Sequence, residues 1–566
     1  MILEPVMNDF AARTATDPPP SVNVAHCLRT MARIQPFRRA VVFPAARDAN
    51  GRVAYSHLTF RQLERESDCF AHGLERAGIG RGIRTILMVR PSLEFFVLTF
   101  ALFKVGAVPV VVDPGMGIER MLACLQESRA QAMIGIPQAH VLKVLKPAAF
   151  RSVRTAVTVG RRWFWRGLRL KDVRHLPWKA YPIAETRRDE MAAILFTTGS
   201  TGPAKGAVYT HGVFDAQVRL IREQFGISPD EIDLATFPLF ALFDPALGMT
   251  AVIPDMDPTR PAQVDPKKII EAVLNHGVSN MFASPALLNR VGRYGQEQNI
   301  KLTSLKRVIS AGAPAAPATI ARFSAMLEED SEIHTGYGAT EAMPVSSFGS
   351  REILSETARL SERGFGMCVG RPIKDVLIRI MAISDQPIEE WSEVVLSPEG
   401  EIGEIVVSGD IVTRGYFDRP RDTALSKIQD GDRIWHRMGD LGWLDSKGRL
   451  WFCGRKNHRV VTPLKTLFTI PCEAVFNNHP AVFRSALVGV GRPPRQRPVI
   501  CVELEPDQRT VDRQALLNEL REMARTNVLT EAIDTFLIHR RFPVDIRHNS
   551  KIFREKLALW AEKRLR

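Results

Sequence analysis

The chain has 566 residues, of which 45% are hydrophobic and 24% charged, a composition typical of a globular protein with more than one folding unit. Seven scattered cysteines without a C-x-x-C pair argue against a disulfide framework and a zinc site and favour a reducing, cytoplasmic setting. The formal net charge of +14 suits an anionic partner such as a nucleotide, a membrane surface or a nucleic acid, or a basic surface without a specific partner.

The first 20 residues lack a basic start followed by an apolar stretch, so no secretory signal is predicted. The most apolar segment, residues 95–114, is interrupted by Lys104, Gly106 and Pro109. It predicts a buried helix followed by a buried strand, because a membrane span needs about 20 uninterrupted apolar residues.

Residues 55–180 alternate short apolar runs with amphipathic stretches, and this alternation continues beyond residue 210. Such a pattern predicts a large, layered α/β domain with mostly parallel sheets. Closely spaced strands and turns follow from about residue 395, and a small α+β unit follows residue 455. We predict two domains, 1–455 and 456–566, joined by a short hinge.

Aromatic and arginine side chains alternate in RRWFWRGLRLKDVRH, residues 161–175. Two interpretations are open: an exposed loop between strands, or a surface that contacts a membrane or a partner peripherally.

The loop TTGSTGPAKG, residues 197–206, combines glycines, hydroxyl groups and one lysine, which are suited to holding a phosphate. It is not a Walker A loop, because Lys205 is followed by Gly206 and the flanking segments AAILF and AVYT both predict strands.

Two later motifs add further polar groups. YGATE, residues 337–341, joins an aromatic ring, a glycine, a hydroxyl and a carboxylate. WHRMGDLG is expected to place Asp440 in a turn just before a hairpin formed by GWLDSKGRLWF, and Arg455 follows that hairpin. Each motif alone is compatible with a structural role, but chance explains their ordered combination poorly.

From about residue 55 to the C-terminus, the chain resembles the adenylate-forming superfamily, which includes acyl-CoA synthetases, luciferases and peptide synthetase adenylation domains. The resemblance depends on TTGSTGPAKG, SAGAP (310–314), YGATE, GEIVVSGD, TRGYF (413–417), the GD pair at 439–440, the GR pair at 454–455 and a C-terminal lysine.

The resemblance implies that a carboxylate attacks the α-phosphorus of ATP, which releases pyrophosphate and leaves an acyl-adenylate. It implies that the β- and γ-phosphates are held by Thr197, Thr198, Gly199, Ser200, Thr201, Gly202 and Lys205. Gly312, Ala313 and Pro314 would border the adenine, and Tyr337 would stack on it. Thr340 would contact the α-phosphate, and Asp440 and Arg455 the ribose.

Two charged residues complete the implied catalytic set. Glu341 would bind Mg²⁺, a hard ion that prefers carboxylate and phosphate oxygens. Lys551, within FPVDIRHNSKIFREKL, matches the lysine that a mobile C-terminal domain brings to the adenylation site. There its charge would stabilise the negative charge that develops between carboxylate and α-phosphate.

The acceptor of the acyl group is indicated by GRKNHRVVTPLKTLFTIPCEAVF, residues 454–476. Thiol-using relatives have a glycine-bearing hairpin here, whereas this chain has Leu464 and Phe468 where close backbone approach is needed. The hinge position, usually Asp or Lys, is Asn457. These departures argue against delivery of the acyl group to coenzyme A or a carrier protein.

These departures, together with the segments RHNSKIFREK and FPLFALFDPALG, resemble one branch of the superfamily, the β-lactone synthetases of bacterial long-chain olefin biosynthesis. The resemblance implies a 2-alkyl-3-hydroxyalkanoic acid substrate, whose own 3-hydroxyl displaces AMP. It also implies an assembly with the β-lactone decarboxylase and the ketone reductase of the pathway, and no nucleic-acid partner. Two long alkyl chains need an apolar pocket, and two interpretations are open for Phe237, Phe240, Phe243, Met249 and Met343: they line this pocket, or they pack in the core.

The sequence does not identify a base for ring closure; the candidates are His211, His334, His458 and His548, each of which is also compatible with a structural or surface role. Two other functions remain open. One is a medium- or long-chain fatty acyl-CoA ligase, and the other is a non-catalytic acyl- or nucleotide-binding member of the superfamily.

Overall fold

The computed structural model describes residues 21–197, 203–505, 512–544 and 552–566. Two large sheets are flanked by helices, and a small three-stranded sheet follows near the C-terminus. The predicted α/β class, a large α/β part followed by a small α+β part, is confirmed.

The strands in the first half of the chain carry the predicted apolar runs, and in chain order they are β1 (Arg39–Arg47), β2 (Val53–Thr59), β3 (Arg84–Met88), β4 (Val108–Val112), β5 (Ala132–Gly135), β6 (Thr155–Thr158), β7 (Leu168–Arg169), β8 (Met191–Thr197), β9 (Lys205–Thr210), β10 (Ile232–Ala235), β11 (Thr250–Val252), β12 (Asn280–Ala283) and β13 (Arg307–Ser310).

The strands of the second half are β14 (Glu332–Ala339), β15 (Ala342–Gly349), β16 (Met367–Pro372), β17 (Leu377–Met381), β18 (Gly403–Ser408), β19 (Lys427–Asp430), β20 (Arg433–Leu444), β21 (Leu450–Arg455), β22 (Val460–Val461), β23 (Thr466–Leu467), β24 (Val482–Val490), β25 (Arg497–Leu504) and β26 (Thr535–Ile538).

The α-helices are α1 (Ala25–Ile34), α2 (Phe60–Arg76), α3 (Leu93–Lys104), α4 (Ile118–Ser128), α5 (Pro137–Leu145), α6 (Leu170–Val173), α7 (His211–Phe225), α8 (Pro238–Ala241), α9 (Phe243–Leu247), α10 (Pro266–His276), α11 (Pro285–Glu297), α12 (Pro317–Ser324), α13 (Ser350–Glu352), α14 (Ala358–Glu362), α15 (Pro420–Ser426), α16 (Thr469–Asn477), α17 (Arg513–Arg525) and α18 (Arg554–Leu565).

The first sheet has seven strands in the order β7-β6-β5-β3-β4-β8-β9. Its pairs are parallel except for the last, in which β9 runs antiparallel to β8. The change in direction follows from the short connection between β8 and β9, because parallel neighbours would need a longer crossover.

The second sheet has 14 strands, and its parallel centre follows the order β1-β11-β10-β12-β13-β14. From β14 onward the neighbouring strands are antiparallel. The antiparallel strands β15 to β21 thus extend the sheet beside β14, next to the carboxyl ends of the parallel strands β13 and β12. This edge positions the site described below.

The apolar segment 95–114 forms α3 and β4, as predicted. Lys104, the last residue of α3, is fully buried, and its Nζ lies 2.7 Å from Oδ1 of Asp68 and 2.8 Å from Oε2 of Glu64. Within the described ranges, every helix is too short or too polar to cross a membrane.

The C-terminal unit consists of the sheet β24-β25-β26 with α16, α17 and α18 packed around it. Its core is formed by apolar side chains of these elements and is distinct from the clusters under the two large sheets. The domain boundary at residues 455 and 456 remains a prediction.

The expectation that Asp440 lies in a turn is wrong. Asp440 belongs to the 12-residue strand β20 and is 3% exposed. The glycines around it do not end the strand: Gly439 has a φ of 65°, and the pairing with β21 shifts register between Leu441 and Gly442. This irregularity lets the strand continue.

Candidate active site

The predicted phosphate loop connects β8 to β9, as the flanking apolar runs indicated. Thr197, the last residue of β8, pairs with Lys205, the first residue of β9. The five residues between these strands that were assigned to phosphate binding lie outside the described residues; they are Thr198, Gly199, Ser200, Thr201 and Gly202. Their role remains a prediction.

Lys205 contacts Tyr416 of the TRGYF motif and Asp422, which follows this motif. Its Nζ lies 2.6 Å from Oδ1 of Asp422 on α15 and 5.1 Å from the centre of the Tyr416 ring. The ammonium group is thus held by an ion pair and by a cation–π contact. Neither Asp422 nor Tyr416 was assigned a role from the sequence.

Thr340 and Glu341 form the connection between β14 and β15. The hydroxyl of Tyr209 donates a hydrogen bond of 2.6 Å to the carbonyl oxygen of Thr340, and the hydroxyl of Tyr416 donates one of 2.6 Å to Oε1 of Glu341. Burial, together with the charge of Glu341, raises the pKa of Tyr416. Both phenols therefore remain donors that hold this connection in place.

The carboxylate of Asp440 lies between Tyr337 and Arg455. The Tyr337 hydroxyl donates a 2.8 Å hydrogen bond to Oδ2, and Nη1 of Arg455 lies 3.0 Å from Oδ1. The Asp440 charge is the largest cause of the raised pKa of Arg455, which therefore stays protonated. Strand pairing explains the contact, because Asp440 on β20 is directly opposite Arg455 on β21.

Gly312, Ala313 and Pro314 lie in the loop between β13 and α12. Gly312 has a φ of 92°, in the left-handed region that a side chain disfavours. The loop is at the carboxyl end of a central parallel strand, where open α/β sheets commonly bind ligands.

One cavity of about 1430 Å³ is lined by residues of the four sets described above and by those predicted for the alkyl-chain pocket. The predicted residues that line it are Lys205, Gly312, Ala313, Pro314, Tyr337, Thr340, Glu341, Asp440, Arg455, Phe237, Phe240, Phe243, Met249 and Met343. The fold therefore brings the nucleotide motifs and an aromatic pocket to one continuous space.

The predicted lysine of the C-terminal domain, Lys551, lies outside the described residues, as does His548. Ile552 and Arg554, which follow Lys551, line the cavity, so the C-terminal unit reaches the site.

The three described histidine candidates differ in position. His458 lines the cavity, with its Nε2 3.1 Å from Oε1 of Glu555. His211 and His334 are not among the lining residues. Burial lowers the pKa of His334 and lowers that of His211 to about 4, so His211 is neutral near pH 7.

A buried lysine, Lys427, is connected to Glu341 through Thr413. Nζ of Lys427 donates a 3.3 Å hydrogen bond to Oγ1 of Thr413, and the Thr413 backbone N–H donates to the carbonyl oxygen of Glu341. Burial lowers the pKa of Lys427 to about 7, against the opposing effect of the Glu341 charge. Sequence reasoning missed Lys427, whereas the TRGYF motif could have indicated Tyr416.

The described residues contain no cluster of three or more His, Cys, Asp or Glu side chains that could hold a metal ion. The single carboxylate of Glu341 is compatible with Mg²⁺, because this ion commonly uses one or two carboxylates and completes its coordination with phosphate oxygens and water. When bound, Mg²⁺ would offset the charge of a triphosphate.

The fold is similar to that of a solved structure. The o-succinylbenzoate coenzyme A synthetase from Bacillus subtilis, in complex with ATP and magnesium ion, superposes with a TM-score of 0.72 at 20% identity. The match covers 94% of this chain and 98% of that one.

Sequence comparison is more specific. The profile of the AMP-binding enzyme family matches residues 28–417. An olefin beta-lactone synthetase from Xanthomonas campestris pv. campestris is 47% identical over 95% of this chain and 97% of its own length. One from Stenotrophomonas maltophilia is 48% identical over 96% of this chain and 98% of its own. The chain therefore belongs to the AMP-binding enzyme family and, within it, to the family of the olefin β-lactone synthetases.

Proposed function

We propose that this protein is an ATP-dependent, AMP-forming β-lactone synthetase of olefin hydrocarbon biosynthesis. Its substrate is a 2-alkyl-3-hydroxyalkanoic acid, and its products are a β-lactone, AMP and pyrophosphate. The observation that carries the proposal is the single cavity in which the nucleotide motifs meet an aromatic pocket. Nearly full-length similarity to olefin β-lactone synthetases supports it.

In the first step, a carboxylate oxygen of the acid bonds to the α-phosphorus of ATP and pyrophosphate leaves. Lys205 and the loop 197–202 hold the departing phosphates, and Thr340 contacts the α-phosphate. Tyr337 and the loop 312–314 bind the adenine, while Asp440 and Arg455 bind the ribose. Lys551 stabilises the negative charge that develops between the two reacting groups.

In the second step, the 3-hydroxyl oxygen bonds to the acyl carbon and the bond from that carbon to the phosphate oxygen breaks. AMP departs with the electron pair, and the hydroxyl proton is released. The four-membered ring is strained, but attack within one molecule avoids the entropy loss of bringing two reactants together.

The hairpin formed by β22 and β23 favours a β-lactone synthetase over a coenzyme A ligase. Leu464 at its tip is 91% exposed, and Phe468 directly precedes α16. A bulky side chain at these positions leaves less room for a pantetheine arm than glycine does. The internal hydroxyl needs no such passage.

The test supplies the enzyme with ATP, Mg²⁺ and a synthetic 2-alkyl-3-hydroxy acid without coenzyme A. We expect lactone and AMP in equal amounts. If thioester accumulates after addition of coenzyme A and no lactone forms, the chain is an acyl-CoA ligase. If no AMP forms under either condition, it is a non-catalytic binding protein.

The proposed chemistry also implies partners. A ketone reductase would supply the 3-hydroxyl group, and a β-lactone decarboxylase would consume the product, so we propose an assembly with both enzymes. Co-purification of the three proteins at their natural ratio tests it, and independent elution contradicts it.

We also propose peripheral membrane contact through the loop between β6 and β7. Trp163 and Phe164 are 53% and 70% exposed beside the basic side chains of Arg161 and Arg162. Aromatic and basic side chains together suit an anionic lipid surface. Co-flotation with phosphatidylglycerol vesicles, lost in a Trp163→Ser, Phe164→Ser double variant, is the expected result.

A further inference from the structure

Gln217 is a buried polar side chain in the wall of the cavity. It lies on α7, is 1% exposed, and donates a hydrogen bond of 2.9 Å from Nε2 to the carbonyl oxygen of Met343. A carbonyl oxygen can only accept, so the amide nitrogen must face Met343. The amide oxygen, Oε1, consequently points away from that carbonyl.

Among the described residues, no donor reaches Oε1 of Gln217, although this atom is buried. The Tyr209 hydroxyl lies beside the Gln217 side chain, but its one proton is already donated to the carbonyl oxygen of Thr340. Burial raises the pKa of Tyr209, so the phenol keeps that proton. A buried acceptor without a donor is unfavourable, and its presence in a ligand cavity indicates a ligand donor.

The position of Gln217 relates this acceptor to the reacting groups. Tyr209 holds Thr340 and Gln217 holds Met343, so the two side chains secure both ends of the segment 340–343. Thr340 is the residue assigned to the α-phosphate, and Met343 is assigned to the alkyl pocket. The Gln217 amide therefore lies where the nucleotide part of the cavity meets its apolar part.

The chemistry of the substrate identifies the missing donor. Once its carboxyl group is ionised or bound to AMP, a 2-alkyl-3-hydroxyalkanoic acid carries one remaining O–H group, the 3-hydroxyl. We propose that Oε1 of Gln217 accepts a hydrogen bond from this hydroxyl and so forms a hydroxyl-binding subsite. This inference rests on the proposed function.

Gln217 is then a positioning and specificity-determining residue. A neutral amide does not remove the proton, but it fixes the direction of the O–H bond and hence of the oxygen lone pairs. The hydroxyl oxygen can thereby be directed toward the acyl carbon. Acids without the hydroxyl leave the amide oxygen buried and unpaired, which disfavours them.

The test measures ATP–pyrophosphate exchange, which reports adenylation alone, with a 2-alkyl-3-hydroxy acid and its matched 3-deoxy acid. We expect wild-type kcat/KM to favour the hydroxy acid by about tenfold or more, since a site built for a hydroxyl rejects analogues that lack it. In Gln217→Met the two values should agree within about twofold. A general loss of structure would lower both values and leave their ratio unchanged.

Gln496→Met is the matched control. Gln496 also lines the cavity, but its Oε1 already accepts a 2.9 Å hydrogen bond from the backbone N–H of Val461. This variant should keep the wild-type preference for the hydroxy acid. Retention of the full preference in Gln217→Met, or equal use of both acids by wild type, would overturn the subsite.

If Gln217→Met does not fold, as judged by circular dichroism, a 3-methoxy acid replaces the variant. The ether keeps the oxygen but has no proton to donate, so wild type should treat it like the deoxy acid. A methoxy acid used as well as the hydroxy acid contradicts the proposal. Failure of the subsite is distinguishable from failure of the proposed function, because in the latter case no lactone would form from the hydroxy acid.

Discussion

The hydroxyl of Tyr416 donates a hydrogen bond of 2.6 Å to Oε1 of Glu341. The same ring lies 5.1 Å from the ammonium of Lys205, which is paired with Asp422. One aromatic side chain thus contacts both the cation assigned to the phosphates and the carboxylate assigned to Mg²⁺. Its position links two motifs that are separated by more than a hundred residues.

We therefore predict that Tyr416→Phe weakens magnesium-dependent catalysis without unfolding the protein. Loss of an outer hydrogen bond to a metal ligand typically lowers metal affinity or activity by about 10- to 100-fold. The measurement is pyrophosphate exchange over a range of Mg²⁺ concentrations at saturating acid. Tyr294→Phe, on α11, serves as the control; an unchanged Mg²⁺ requirement in Tyr416→Phe would show that its hydroxyl does not orient Glu341.

A second prediction concerns Asp440. If this carboxylate binds the ribose hydroxyls, Asp440→Asn should raise the KM for ATP by about tenfold, since hydrogen bonds to charged groups contribute about 1.5–3 kcal/mol. Wild type should also use 2′,3′-dideoxy-ATP poorly, because this analogue lacks the ribose hydroxyls. Asp440→Asn should discriminate less between ATP and the dideoxy analogue. Undiminished discrimination in Asp440→Asn would assign the ribose contact to another residue.

The sequence predicted the elements that local patterns specify. Apolar runs marked β8 and β9, and the apolar segment ending at Lys104 was correctly interpreted as a buried helix and strand. Asp440 was misplaced because its flanking glycines resemble a turn, whereas pairing with β18 and β21 keeps β20 extended. Tertiary pairing overrides a local turn preference here.

The contacts of Tyr209 and Gln217 could not be predicted for a related reason. They depend on the packing of β9 and α7 against the connection between β14 and β15, more than 120 residues later, with sequence separations of 131 and 126 for the two hydrogen bonds. Neither residue belongs to a motif with its own chemical signature. Long-range packing alone brings their polar atoms to the cavity.

The third prediction concerns stability. Lys104 is fully buried and its ammonium group lies near the carboxylates of Glu64 and Asp68. Lys104→Met would leave these carboxylates without their buried cation, and we expect a loss of about 3–5 kcal/mol in the free energy of unfolding. Urea denaturation measures it, with Lys301→Met as an exposed control. A loss below about 1 kcal/mol would mean that Arg29, which also contacts both carboxylates, compensates their charge without Lys104.

The fourth prediction is a pH dependence of stability. Asp233 and Asp244 are 3% and 4% exposed and hydrogen-bonded to each other, and Asn280 donates to Asp233. Burial raises the pKa of Asp233 to about 7, and burial and the neighbouring Asp233 charge raise that of Asp244. The folded pair therefore retains protons that the unfolded chain releases above its ordinary pKa of 3.8.

Because the folded state then binds more protons than the unfolded state, this pair makes stability fall as the pH rises from about 4 to 7. The slope is at most about 1.4 kcal/mol per pH unit for each retained proton. Urea denaturation at pH 5, 6 and 7 should show a smaller decline for Asp244→Asn than for wild type. Asp330→Asn, on an exposed loop, should show the same decline in stability with pH as wild type. Equal declines in all three proteins would contradict the retention of protons by the folded Asp233–Asp244 pair.

The last prediction concerns Lys551 and separates its effect on adenylation from its effect on lactone closure. Lys551→Ala should lower pyrophosphate exchange by at least about 100-fold, because removal of one preorganised charge or donor at a developing negative charge commonly costs that much. Lys556→Ala is the matched control, since Lys556 lies on α18 with its ammonium 4.8 Å from the centre of the Phe553 ring. Chemically synthesised acyl-adenylate, supplied to Lys551→Ala, should still close to lactone, because the proposed mechanism uses this cation only in the first step. If closure from the adenylate is lost as well, Lys551 acts in both steps; if exchange is unaffected, the residue is not the adenylation lysine.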